Sequence, residues 1–148
     1  MNLLTIADAL AARFAPGLVT PPAGRKNVTA ATARPPNAIP NTPYVVAWAD
    51  SGEVTFPPGQ MLGEHEFKVT FYYSKSEADI PREYAALLDW VGVLLARLAG
   101  QTQLGVVGVK KAIPMRWEIG TAIYAGVTYE AIIITVHVWT EDAVTLTP

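Results

Sequence analysis

Residues 63–98 read GEHEFKVTFYYSKSEADIPREYAALLDWVGVLLARL, and the hydrophobic period changes within them. From Glu64 to Tyr73 the residues alternate: His65, Phe67, Val69, Phe71 and Tyr73 fall on one side, Glu64, Glu66, Lys68, Thr70 and Tyr72 on the other. A period of two marks a strand with one buried and one wet face. After the polar break, Tyr84, Leu87, Leu88, Val91, Leu94, Leu95 and Leu98 recur at steps of three and four. That spacing predicts an amphipathic helix with a broad apolar stripe. The helix is expected to start near Asp79 or Ile80, with Pro81 in the first turn and Gly100 at the end, about residues 80–98.

The rest of the chain is built outward from this unit. Leu3, Ile6, Ala7, Leu10 and Phe14 share a helical face, Asn2 or Thr5 can cap it, and Pro16-Gly17 stops it, giving a first helix over about residues 3–15. Residues 16–43 hold seven of the twelve prolines and read as an extended arm, with a small-side-chain strand expected over Val28 to Ala33. The alternatives are a floppy linker and an arm that lies along a neighbouring subunit, where proline lowers the entropy lost on docking. Tyr44 to Trp48 is β-prone, Asp50-Ser51-Gly52 is a turn signal, and residues 53–62 read as an exposed loop carrying Phe56, Met61 and Leu62. Val106 to Ile113 is a further strand ended by Pro114. Met115 to Tyr124, Ala125-Gly126 and Val127 to Trp139 form a hairpin, followed by a tail over residues 140–148. Both faces of the last strand are apolar, which suits a central position in the sheet. The fold class is α+β in one domain, a mostly antiparallel sheet with two main helices packed on one face.

Composition narrows the function classes. The 148 residues are 51% hydrophobic, carry a formal net charge of −2 and include no cysteine. Thiolate metal sites and disulfides are excluded, and no overall basic field draws the chain to nucleic acid. No apolar run approaches the roughly 20 residues of a membrane span. Met1 to Phe14 lacks a basic segment and contains Asp8, so it reads poorly as a signal peptide.

Reactive clusters are not evident. The two histidines, His65 and His137, each fall inside a strand pattern, where a core or interface histidine is the default. The three serines, Ser51, Ser74 and Ser76, lack a nucleophile-elbow context. Gly105 and Gly108 precede Lys110-Lys111, but Val109 intervenes and a strand follows, so the phosphate-loop pattern fails. Lys110, Lys111 and Arg116 form a modest basic patch whose default role is to guard a sheet edge. No catalytic residue, metal ligand or cofactor is therefore expected.

The layout resembles the tail terminator family of long-tailed bacteriophages. The matching stretches are Ile6 to Phe14, the Pro/Asn-rich segment around Pro35 to Pro43, and Gly63-Glu64-His65-Glu66-Phe67 leading into Val69-Thr70-Phe71-Tyr72. They continue with Arg82 to Leu98 and with Tyr124-Ala125-Gly126-Val127-Thr128-Tyr129 leading into Ile132 to Val136. The resemblance implies a homo-oligomeric ring, usually a hexamer, that sits on the tail tube protein, stops tube growth and meets the head-completion (stopper) protein. It implies a place in the virion after assembly in the host cytoplasm. DNA would pass through the lumen without sequence-specific binding, and no membrane is involved. A ring interface joins two different patches of each subunit. Arg34 on the arm, Phe56, Met61 and Leu62 on the loop, and Glu64, Glu66 and Lys68 on the strand are the candidate contacts. Two alternatives remain: another neck protein such as a head-completion protein, and a small-ligand or enzymatic module with a pocket lined by His65, Tyr73 and His137.

Overall fold

The computed structural model describes residues 2–76, 83–100 and 103–144. The order is α1 (Leu3–Ala12), β1 (Ala30–Thr32), β2 (Tyr44–Thr55), β3 (Gln60–Lys75), α2 (Tyr84–Ala99), β4 (Val109–Tyr124) and β5 (Val127–Ala143). The strands form one sheet in the order β1-β2-β3-β5-β4. β1 runs parallel to β2, and every other pairing is antiparallel. The chain is thus α+β, with two helices and a five-strand, mostly antiparallel sheet.

Both helices lie on one face. Ile6, Leu10 and Phe14 from the α1 end and Leu87, Trp90, Leu94 and Leu98 from α2 pack with Val45, Phe67, Val69, Phe71, Ile132, Ile134, Val136 and Val138. A side chain of this kind contributes about 1.5–3 kcal/mol when fully buried, so this cluster is the main source of stability. The buried stripe of α2 differs from expectation. Tyr84 and Leu88 are exposed, and Trp90 and Ala86 are buried instead. Trp90 lies three residues from Leu87 and four from Leu94, and its ring sits 4.7 Å from that of Phe71. The expected start of α2 at residues 79–82 lies outside the described residues, and Gly100 closes the helix as anticipated. Helix α1 begins as expected, with the Asn2 side chain accepting from Thr5 N, but ends at Ala12, not residue 15.

The arm wraps its own body. Val19, Val28 and Ala33 are buried in the main core, whereas Ile39 is buried on the opposite face with Tyr44, Val46, Tyr72 and Tyr129. Residues 33–39 therefore carry the chain round the sheet edge. Its strand is shorter than the expected Val28 to Ala33, covering only Ala30–Thr32. Backbone N and Oγ1 of Thr29 both donate to the Pro43 carbonyl, each at 2.8 Å, and hold the arm against the start of β2.

Four boundaries need correction. Asp50-Ser51-Gly52 is no turn; β2 passes through it with a register shift between Ala49 and Ser51. The residues that relax a ladder at a turn serve equally at a bulge. The expected loop over residues 53–62 is instead a continuation of the ladder, with Val54 opposite Gly63 and Thr55 opposite Leu62. The real turn is at Pro57-Pro58-Gly59, where Gly59 takes φ +75° and Gln60 N donates to the Pro57 carbonyl. Pro114 does not end a strand. β4 runs from Val109 through Pro114 to Tyr124, with a register shift between Pro114 and Arg116. Because β4 is the edge of the sheet, a missing N–H is tolerated there. Finally, the supposed tail from Thr140 belongs to β5 as far as Ala143, while residues 145–148 lie outside the described residues.

Candidate interaction surface

Alternation along the strands, combined with their register, builds the face away from the helices. One end is apolar and covered. Tyr72 meets Tyr124 and Tyr129 edge-on, with ring centroids 5.5 Å apart in each pair, and the Tyr124 hydroxyl donates to the Pro36 carbonyl of the arm. Burial, with Tyr124 and Tyr129 nearby, pushes the Tyr72 hydroxyl pKa up to about 12.

The other end is uncovered and charged. Register places Glu53, Glu64, Trp139 and Lys111 in one cross-strand row, and Ser51, Glu66, His137 and Ile113 in the next. The Trp139 indole N–H donates to Glu64 Oε1 at 3.0 Å. His137 packs against the same indole with centroids 4.7 Å apart, and Lys111 Nζ sits 4.3 Å from its centre. One step along, Lys68 Nζ donates to Thr135 Oγ1 at 2.8 Å. Clefts of about 450 Å³, lined by Leu62, Glu64, Lys111 and Trp139 among others, and about 350 Å³, lined by Glu53, Glu66 and His137 among others, adjoin there. Glu53 stands directly opposite Glu64, a like-charge pair that an external cation would relieve.

Six of the seven expected contact residues share the β2–β3 hairpin. Phe56 is exposed at its tip; Met61 and Leu62 follow Gln60 at the start of β3; Glu64, Glu66 and Lys68 come next on the open face. Arg34 is elsewhere, on the arm, where Nη1 lies 3.3 Å from Asp8 Oδ1 of α1. The sequence alone does not bring Glu53 and Lys111 into this surface: Glu53 falls in the expected loop, and Lys111 in the basic patch expected to guard a sheet edge, which β4 is. Trp139 and His137 carried an alternation signal, but only the register sets them beside Glu64 and Glu66.

His65, Tyr73 and His137 do not line a common pocket. The two histidines project from opposite faces: His65 is buried on the helix side, with Nε2 3.3 Å from Thr140 Oγ1, while His137 is half-buried on the open face. Burial lowers the His65 pKa. The Tyr73 hydroxyl donates to Glu83 at 2.8 Å, and burial raises its pKa. Among the described residues no group of three or more His, Asp or Glu is placed to hold a metal ion, and no helix is long and apolar enough to cross a membrane. What this region offers chemically is contact: an indole floor, carboxylates, and ammonium groups at the far edge. No protein-family model matches the chain, and no curated protein matches it.

Proposed function

We propose that the chain is a tail terminator of a long-tailed bacteriophage, a structural virion protein that forms a ring on the end of the tail tube, stops its polymerisation and presents a surface to the head-completion protein. The observation that carries this reading is the uncovered end of the sheet, where two long hairpins expose a face of carboxylates and aromatic rings. The layout of elements resembling that family supports it too. The arm, expected along a neighbouring subunit, packs on its own body and lends no such support; the exposed hairpin tip at Phe56 is the part left for a neighbour. A net charge of −2 suits a lumen through which DNA slides without adhering. No bond is made or broken in this role; the energy comes from surface complementarity.

Electron microscopy of purified protein mixed with tail tubes is the direct test. Rings seated at one tube end, with tube length capped, support the reading. Rings that ignore tubes but bind a portal complex would move the protein to another position in the neck. A strict monomer at high concentration that leaves tubes unaltered would sink it.

A further inference from the structure

The sheet has two unpaired sides. Among the described residues, nothing pairs with the outer side of β4 over its 16 residues, and β1 pairs with β2 only at Tyr44, Val45 and Val46. Beyond that point Ala49–Thr55 are all exposed. A long exposed edge is a template for another strand.

The two sides are complementary in three respects. First, polarity: β2 is antiparallel to β3, β3 to β5 and β5 to β4, so β4 runs opposite to β2. A second copy set alongside in the same orientation therefore continues the antiparallel alternation unbroken. Second, register: the row that starts at Glu53 ends at Lys111, and the row that starts at Ser51 ends at Ile113. The free part of β2 is thus level with the first half of β4, whereas Glu118, Ile119 and Gly120 are level with the rungs that β1 holds, so an added β4 has to part from β2 beyond its bulge at Pro114–Arg116. Third, charge: that part of β2 carries Asp50 and Glu53, and that part of β4 carries Lys111 and Arg116, beside Lys110, which is ion-paired with Glu141 at 2.9 Å.

We infer that the outer side of β4 in one copy pairs antiparallel with residues 49–55 of β2 in the next, bringing Lys111 beside the Glu53–Glu64 carboxylate pair. Pairing is head-to-tail, so it closes into a ring when the rotation between copies allows. Pro114 withholds one donor at the bulge, and the ladder is carried on either side of it. The closure rests on the ring reading above; the pairing itself rests only on the sheet.

The chain has no cysteine, which makes cross-linking clean. Within one molecule, positions 51 and 113 are three strand spacings apart, about 14–15 Å, whereas a disulfide needs Cα atoms within about 7 Å. In the full chain carrying Ser51→Cys and Ile113→Cys, oxidation should yield a ladder of cross-linked multimers on a non-reducing gel. Companion pairs, Ser51→Cys with Lys111→Cys or with Arg116→Cys, cover a two-residue stagger, Met115 being the extra residue of the bulge. No ladder from any pair, while native mass spectrometry still finds an oligomer, overturns the edge pairing and leaves the ring reading standing. A ladder from protein that neither caps nor binds tubes supports the pairing and counts against the terminator. Glu53→Lys should raise the concentration needed for half-assembly about five- to tenfold, and adding Lys111→Glu should restore it. If Lys111→Glu alone strengthens association, the lysine is a guard of the edge and the pairing is overturned.

Discussion

The imidazole of His65 fills the space that a side chain at Gly63 would need. The two stand two residues apart on β3, on the same face, and a Cβ at Gly63 would collide with His65 Nε2 and lie 2.5 Å from Thr140 Oγ1. Gly52, paired with His65 across β2, is bare for the same reason, since a Cβ there would meet the ring at Nδ1. Because His65 is buried, it has little room to yield. Gly63→Ala should cost about 1–3 kcal/mol by overpacking. Gly120→Ala, with no atom within 4 Å of the added carbon, should stay within about 0.5 kcal/mol of wild type. Urea unfolding of both variants checks the contrast.

Helix and hairpin tip should respond differently to mutation. Leu94 is 1% exposed in the main core and Phe56 is 54% exposed at the tip. Leu94→Asp should unfold the chain, because it buries an unpaired charge. Phe56→Ala should leave the melting temperature almost unchanged and impair ring formation or tube binding. Circular dichroism and native mass spectrometry separate the two effects; equal loss of stability in both would show the tip to be core.

Two buried groups tilt stability at opposite ends of the pH scale. The Tyr72 hydroxyl keeps its proton until about pH 12 in the fold. Unfolded chains release that proton near pH 10, so stability is intact below pH 10 and falls as pH rises from about 10 to 12. Tyr72→Phe should flatten that alkaline loss. His65 runs the other way. Its pKa is lowered by burial, so the unfolded chain takes up the proton first and stability falls as pH drops below about 6.5. His65→Asn should remove this part of the acid slope in denaturant titrations at stepped pH.

The hydroxyl of Tyr124 reaches from the end of β4 to the Pro36 carbonyl, clipping the arm to the second face. Tyr124→Phe should speed proteolytic cleavage within residues 34–42 severalfold. Because Val28 and Val19 stay anchored in the main core, the melting temperature should fall by only a few degrees. Cleavage that is no faster than in wild type would mean Ile39 alone holds the segment.

Local periodicity was legible and partnership was not. Phe67, Val69 and Phe71 alternate, and Leu87, Val91, Leu94 and Leu98 recur at helical spacing, so the main sheet and the long helix follow from neighbouring residues alone. Asp50-Ser51-Gly52 misled because a bulge and a turn draw on the same residue types; what distinguishes them is whether Val54 finds Gly63 across the strand. Pro114 misled because its tolerance depends on β4 being outermost, which follows from strand order and not from local sequence. At the candidate surface, Glu64, Glu66 and Lys68 could be read from alternation. Their neighbours Glu53, Lys111 and Trp139 arrive from β2, β4 and β5, through registers that span up to 75 residues.

The three-residue β1 acts beyond its own small ladder. It occupies the first rungs of the outer flank of β2 and leaves the rest bare. A strand sliding along that flank by two residues would keep its side chains facing the same way, so their pattern alone cannot forbid such a slip. The backbone of β1 sets a different limit: it already holds the rungs at Tyr44, Val45 and Val46, so an added ladder cannot run beyond them. Under the pairing inferred above, a fragment too short to be a structure in its own right would thereby set the length of the seam between copies.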